Sequence, residues 1–255
     1  MSLNPSAPMV RDVDPRVLPA SLHHWRASRA RLSTVVGLPG TFVRASSVSG
    51  VADGTPGGGV TYTAPHSFPA WSPRDWDNDG AAEALGLLMG TADRLSWAGA
   101  PPPQAMMLRL EIVETGAVIG SAGGTLWSLR NDGATGAGLW LDTSGTASGR
   151  YRFNYSDGST TRSALLSSGR PTAGQRVVFE AELSAAGAIA FRQSIEGAAP
   201  NTATAAALAL PASWASGARI RLNSRGASSN PGSAWYRVSK LLPASVDWSL
   251  AAGVL

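Results

Sequence analysis

Along residues 177–183, Val177, Phe179, Ala181 and Leu183 recur at every second position, with Glu180 and Glu182 between them. A period of two sends alternate side chains to opposite faces of an extended chain. The pattern therefore predicts a strand with one apolar and one wet face. Gly187 stands where a tight reversal needs a left-handed residue, and Ile189 and Phe191 then resume the alternation. The pair reads as an antiparallel hairpin with Phe179 turned inward. A lone hairpin cannot bury its apolar face, and the flanking sequence supplies partners. Leu108, Leu110 and Ile112 alternate within 107–113, and further strands are predicted over 124–129, 137–141, 149–155, 218–223 and 234–241. Turn chemistry separates them at Asn131-Asp-Gly133, Ser156-Asp-Gly158 and Asn230-Pro-Gly232. Short strands at this spacing predict an all-β sandwich or barrel.

The amino-terminal third is patterned differently. Pro5, Pro8, Pro15 and Pro19 interrupt any regular element, and 18–32 reads as a short helix or an irregular arm. Such an arm packs either on its own domain or on a neighbouring subunit. From Gly37 onward, strand candidates over 38–46 and 60–63 and the apolar run 84–89 alternate with Gly-rich turns, until Pro101, Pro102 and Pro103 mark a boundary. This divides the chain into an arm (1–36), a small β-module (37–100) and a β-sandwich (101–255).

Composition narrows the function classes. The 29 Gly, 17 Pro and 15% charged residues suit strands and turns better than helices. No run of 18 apolar residues predicts membrane insertion, and the first residues lack the basic and apolar regions of a secretory signal. The absence of cysteine excludes disulfides, cysteine nucleophiles and thiolate zinc sites. Net charge is +4, and Lys240 is the single lysine among 21 basic residues. The arginines are scattered rather than clustered along one stripe, which argues against nucleic acid as a partner. Arginine pairs bidentately with carboxylates, so acidic polysaccharides suit such a surface.

Two separated blocks carry a family resemblance. Gly40-Thr-Phe-Val-Arg-Ala-Ser46, a Gly-rich gap, Asp75-Trp-Asp77, then Glu83 and Leu85-Gly-Leu-Leu-Met89 resemble a module of bacteriophage tail and fibre proteins and of gene-transfer-agent virion proteins. The chain departs from that pattern by an extra residue or so in the acidic turn and by Gly90 where an acid is usual. The strand series over 104–250, with Gly174-Gln-Arg-Val-Val-Phe179 and Trp235-Tyr236, is similar to the concanavalin-A-like (laminin-G-like) jelly roll that follows the module in phage proteins. The resemblance implies a fibre, spike or tail component at the particle surface, assembled in the bacterial cytoplasm. It implies an arm bound to other virion proteins, a homo-oligomer, and adhesion to host-surface polysaccharide without catalysis or a cofactor. A decoration or connector protein binding only virion proteins is the alternative reading. A polysaccharide-degrading enzyme is a third, disfavoured because the three-acid strand motif of the glucanases of this fold is absent.

Candidate chemistry is sparse. Asp75, Asp77, Asp79 and Gly80, with Glu83, have the spacing of a calcium loop, but its twelfth position is Gly86 rather than a bidentate glutamate. Gly133-x-x-Gly136-x-Gly138 lacks a strand–helix context for a nucleotide loop and reads as a turn. His23, His24 and His66 show no metal spacing, and no Gly-x-Ser-x-Gly elbow occurs. Trp127, Trp140 and Trp235 fall inside strand patterns and are expected in the core. Loops at the ends of a sandwich are the expected ligand positions. Those richest in hydroxyl-binding groups hold Asn131 and Asp132, Asn154, Tyr155 and Asp157, and Asn223 and Arg225. The same residues also serve as ordinary turn formers.

Overall fold

A computed structural model describes residues 100–114, 124–144, 150–167, 171–226 and 234–244, together with Gly232 and six short strands before residue 98. In chain order the strands are β1 (His23–Arg26), β2 (Thr55–Gly57), β3 (Pro73–Arg74), β4 (Glu83–Ala84), β5 (Leu87–Met89), β6 (Arg94–Trp97), β7 (Met106–Glu114) and β8 (Thr125–Arg130). Then follow β9 (Ala137–Thr143), β10 (Tyr151–Asp157), β11 (Thr161–Leu165), β12 (Arg176–Leu183), β13 (Ile189–Ile195), β14 (Asn201–Ala205), β15 (Arg219–Leu222) and β16 (Ala234–Pro243). There is no helix among the described residues.

Two seven-stranded antiparallel sheets form a sandwich. The first runs β1–β16–β7–β12–β13–β14, with β5 also paired to β16, and the second runs β11–β10–β9–β8–β15–β6–β2. From β5 onward the chain changes sheet after β5, β6, β7, β11, β14 and β15, so neither sheet is built from one continuous run. Strands from the arm and the module are hydrogen-bonded into this sandwich. His23–Arg26, expected as a helix or irregular arm, lies antiparallel to β16, while β2 and β6 extend the second sheet and β3 pairs with β4 alone.

The hairpin read from the alternation is central. Val177, Phe179, Ala181 and Leu183 are buried and the residues between them are not fully so. Phe179 packs against Tyr151 at a centroid distance of 4.7 Å and Phe191 at 6.0 Å, and Phe153 continues the stack to Phe191 at 6.1 Å. Aromatic pairs at these separations favour tilted and offset geometries. Two buried hydroxyls are satisfied within the core: Tyr151 donates to Glu114 at 2.6 Å and Tyr236 to Asn223 at 2.9 Å. Burial raises the Tyr236 phenol well above its ordinary pKa, so the hydroxyl stays protonated as donor.

Two of the three tryptophans expected in the core lie elsewhere. Trp127 is fully buried between the sheets. Trp140 is flanked by the inward Leu139 and Leu141, and Trp235 by the inward Ala234 and Tyr236, so both turn to the outer faces. Trp214, in a loop, instead fills the core edge: its ring meets Tyr155 edge-on and its Nε1 donates to the Pro101 carbonyl at 2.7 Å.

Candidate functional site

The outer face of the first sheet holds an open trough of about 600 Å³ over β7, β12, β13 and β14. Strand register builds its floor. Arg109, Glu180, Arg192 and Thr202 face one another in a row across the four strands. Glu182, Ala190 and Thr204 make the next row, and Val178 and Ser194 the row on the other side. The wet alternate positions of the central hairpin are therefore the trough itself.

The middle row is held by charge. Arg109 Nη1 donates to Glu180 Oε1 at 2.6 Å, and Arg192 Nε lies 3.6 Å from Glu180 Oε2. Arg109 is nearly buried, whereas about half of the Arg192 side chain is open to solvent. The floor thus offers fixed guanidinium donors, carboxylate acceptors, threonine hydroxyls and the methyl of Ala190. That mix suits a polyhydroxyl ligand, whose orientation a few convergent polar groups can fix. Glycoside hydrolysis needs two carboxyls opposed across a sugar. Glu180 and Glu182 instead stand side by side on one strand.

The outer face of the second sheet carries a different cluster. Asp142 accepts from Trp140 Nε1 at 3.1 Å, from Asn154 Nδ2 at 3.0 Å, and from Arg152 through two bonds of 2.7 and 3.1 Å. Arg152 gains a raised pKa, first from that hydrogen bonding. The Arg130 and Arg225 guanidinium carbons lie 4.1 and 4.5 Å from the Trp140 ring centroid, within cation–π range.

No protein-family model matches the chain, and no curated protein matches its sequence. Solved structures share its fold. Domain 4 of AbnA, an extracellular GH43 arabinanase of Geobacillus stearothermophilus in complex with arabinotriose, superposes with a TM-score of 0.56 at 11% identity, covering 91% of this chain and 96% of that one. The binding domain of botulinum neurotoxin serotype D gives 0.56 at 8% identity, over 94% of this chain and 51% of that one. A GH54 α-L-arabinofuranosidase soaked with 4-nitrophenyl α-L-arabinofuranoside gives 0.54 at 15% identity, over 84% and 49%. The chain thus spans about half of the last two. At these identities the likeness establishes the β-sandwich.

The loop residues proposed from sequence fall into three groups. Tyr155 and Asn223 are interior and present nothing to a sugar: the Tyr155 hydroxyl donates to the Ala209 carbonyl at 2.6 Å, and Asn223, at a φ of 62°, accepts from Tyr236. Their place in the ligand set is corrected on that ground. Burial first, and then Asp157, push the Tyr155 phenol up to about 12.

Asn131, Asp132 and Asp157 form turns or ion pairs. Asn131 Oδ1 accepts the Thr135 amide at 2.9 Å, Asp132 pairs with Arg221 and, at 3.9 Å, Arg219, and Asp157 Oδ1 accepts the Ser159 and Thr160 amides, each at 2.8 Å. The Gly-rich segment before β9 is indeed a turn, with Ala134 and Gly136 at positive φ.

Asn154 and Arg225 alone come together, in the Trp140 cluster. Among the acidic-loop residues, Asp75, Asp77 and Asp79 lie outside the described residues, and Glu83 pairs through its backbone with Arg74.

Proposed function

We propose that this chain is a non-catalytic, glycan-binding surface component of a phage or gene-transfer-agent particle, and that the trough on the first sheet takes host-surface polysaccharide. The observation that carries the reading is the Arg109–Glu180–Arg192–Thr202 row: four polar side chains from four strands, aligned by register on the floor of one open trough. A rigid sheet presents these groups with little ordering cost on binding, which favours a weak polar ligand such as a sugar chain. Further support comes from a fold shared with an arabinanase domain that is in complex with arabinotriose. The virion setting rests on the resemblance of residues 38–95 to phage and gene-transfer-agent modules.

A glycan array carrying bacterial capsular and lipopolysaccharide fragments tests the proposal. The wild-type chain is expected to bind a defined subset of glycans, and Arg192→Ala to lose that binding while staying folded. Binding by Arg192→Ala equal to wild type, or a blank array, would refute the trough. Release of reducing sugar from a bound polysaccharide would refute the non-catalytic assignment.

A further inference from the structure

The Trp140 cluster holds more cations than it has anions to match. Arg130, Arg152 and Arg225 surround the single carboxylate of Asp142, and that carboxylate is already occupied by Arg152, Asn154 and the Trp140 indole. Arg130 is only 3% exposed. Its Nη2 donates to the Gly136 carbonyl at 3.1 Å, while its Nε and Nη1 are buried without a hydrogen-bond partner, as is Arg225 Nε. Buried charged donors left unmatched are costly, so such an arrangement is informative.

The fold holds these donors in place. A β-carbon on Gly138 would lie 2.7 Å from Arg130 Cγ, so glycine there is what lets the arginine stem cross β9 toward Trp140. Ser128 Oγ donates to the Ser224 carbonyl at 2.6 Å, and Ser224 also bonds Gly226, which fixes the short segment carrying Arg225. Arg225 is only partly buried, whereas Arg130 is fully so. Burial, then Arg225, bring the Arg130 pKa down to about 10, with Asp142 opposing. Arg225 is lowered as well, by burial, against Asp142. Both groups remain cationic at neutral pH, and the attraction of an oxyanion beside them would offset the cost of their burial and of the repulsion between them.

We propose that Arg130 and Arg225, braced on the Trp140 ring, form an oxyanion site that takes the carboxylate of an acidic sugar, on the face of the sandwich opposite the trough. Guanidinium forks match a carboxylate in geometry and charge. The sugar identity rests on the glycan reading above; the oxyanion site stands apart from it.

The test is titration of the full chain with sodium glucuronate, its methyl ester and sodium sulfate, read by the arginine Nε–Hε resonances and by tryptophan fluorescence. Saturable glucuronate binding is expected at about millimolar affinity, with no response to the ester and weakening as salt rises. Arg225→Gln should lose at least about tenfold in affinity, which is about 1.4 kcal/mol. Arg162→Gln, on exposed β11, should bind as wild type. Arg225 is only partly buried, so its variant is expected to fold, and a melting curve checks this.

Binding of the ester as tightly as the acid, unchanged affinity in Arg225→Gln, or no saturable binding would each overturn the site. Sulfate binding without glucuronate would assign it to a different oxyanion and overturn the carboxylate. Glucuronate binding with a blank glycan array would keep this site and refute the trough. An array signal lost in Arg192→Ala but unchanged in Arg225→Gln, with no glucuronate binding, would do the reverse.

Discussion

Gly187 and Leu208 touch so closely that a β-carbon on Gly187 would lie 1.7 Å from the Leu208 carbonyl oxygen. Gly187 sits at a φ of 75° in the β12–β13 turn, its amide donating to Ser184 O at 2.9 Å, and its carbonyl accepting from the Leu208 amide at 3.3 Å. Two requirements meet there: a left-handed backbone and a main-chain approach with no room for a side chain. The segment around 208 is thereby tied to the hairpin, and the Tyr155 hydroxyl holds it again through Ala209. Gly187→Ala should therefore destabilise by about 3 kcal/mol or more, combining backbone strain with a backbone clash. Gly174, at a φ of 83° with nothing near its would-be β-carbon, isolates the strain alone. Gly174→Ala should cost about 1 kcal/mol. Denaturant melts of the two variants check the difference, and equal losses would refute the contact.

The two faces of β12 give a second prediction. Phe179→Ala removes a ring packed on Tyr151 and Phe191, and should cost about 3–5 kcal/mol. Glu180→Ala removes no core volume, but it strips the nearly buried Arg109 of its carboxylate partner. A loss of about 1.5–3 kcal/mol is expected, the range for a hydrogen bond to a charged group. Adding Arg109→Met to Glu180→Ala should recover part of that loss, because the unmatched cation goes with it. Equilibrium unfolding of the single and double variants measures the coupling.

These residues also explain how much of the molecule the sequence made legible. Period-two alternation located β7 to β10, β12, β13, β15 and β16, because each has one face in the core. It could not locate β11 or β14, edge strands whose Thr-Arg-Ser-Ala-Leu and Asn-Thr-Ala-Thr-Ala stretches are exposed or only partly buried apart from Ala164. Edge strands have little apolar alternation to display. The His23–Arg26 pairing with β16 was hidden for another reason, since prolines on its amino-terminal side dominate that region's pattern.

For the candidate site, the missed signal was phase. Trp140 lies out of step with Leu139 and Leu141, so the alternation itself points it outward. Tyr155 lies in step with Tyr151 and Phe153, so the alternation points it inward. Ranking by residue type reversed both. The trough was half-visible, since Glu180 and Glu182 were placed on the wet face. Arg109 and Arg192 could join them only once strand register was known.

A pH prediction follows from Asp157. The Thr160 amide first, then the Ser159 amide and hydroxyl, hold its carboxyl below the ordinary 3.8. A depressed folded-state value gives stability that is present above the unfolded-state value and lost as pH falls through the folded one. Asp157→Asn keeps an acceptor oxygen but no titration. The β10–β11 turn should therefore open less readily in wild type than in Asp157→Asn above pH 3.8, and that advantage should fade as pH drops below it. Exchange of the Thr160 amide across that range reports it, and parallel pH profiles would refute the assignment.

The amino-terminal segment gives the last prediction, because two truncations separate assembly from folding. His23 faces Leu241 and Arg26 faces Val238 in the β1–β16 register. Removing residues 1–22 retains that pairing, whereas removing 1–36 strips one edge of β16. The unpaired backbone would then offer a template for another chain. The 1–36 deletion should melt below the 1–22 deletion and self-associate on sedimentation. If the arm attaches the protein to a particle, both deletions should fail to incorporate, including the one that keeps β1. Incorporation of the 1–22 deletion at the wild-type level would move any attachment out of those residues. Identical melting and sedimentation of the two truncations would show that β1 contributes nothing to the sheet.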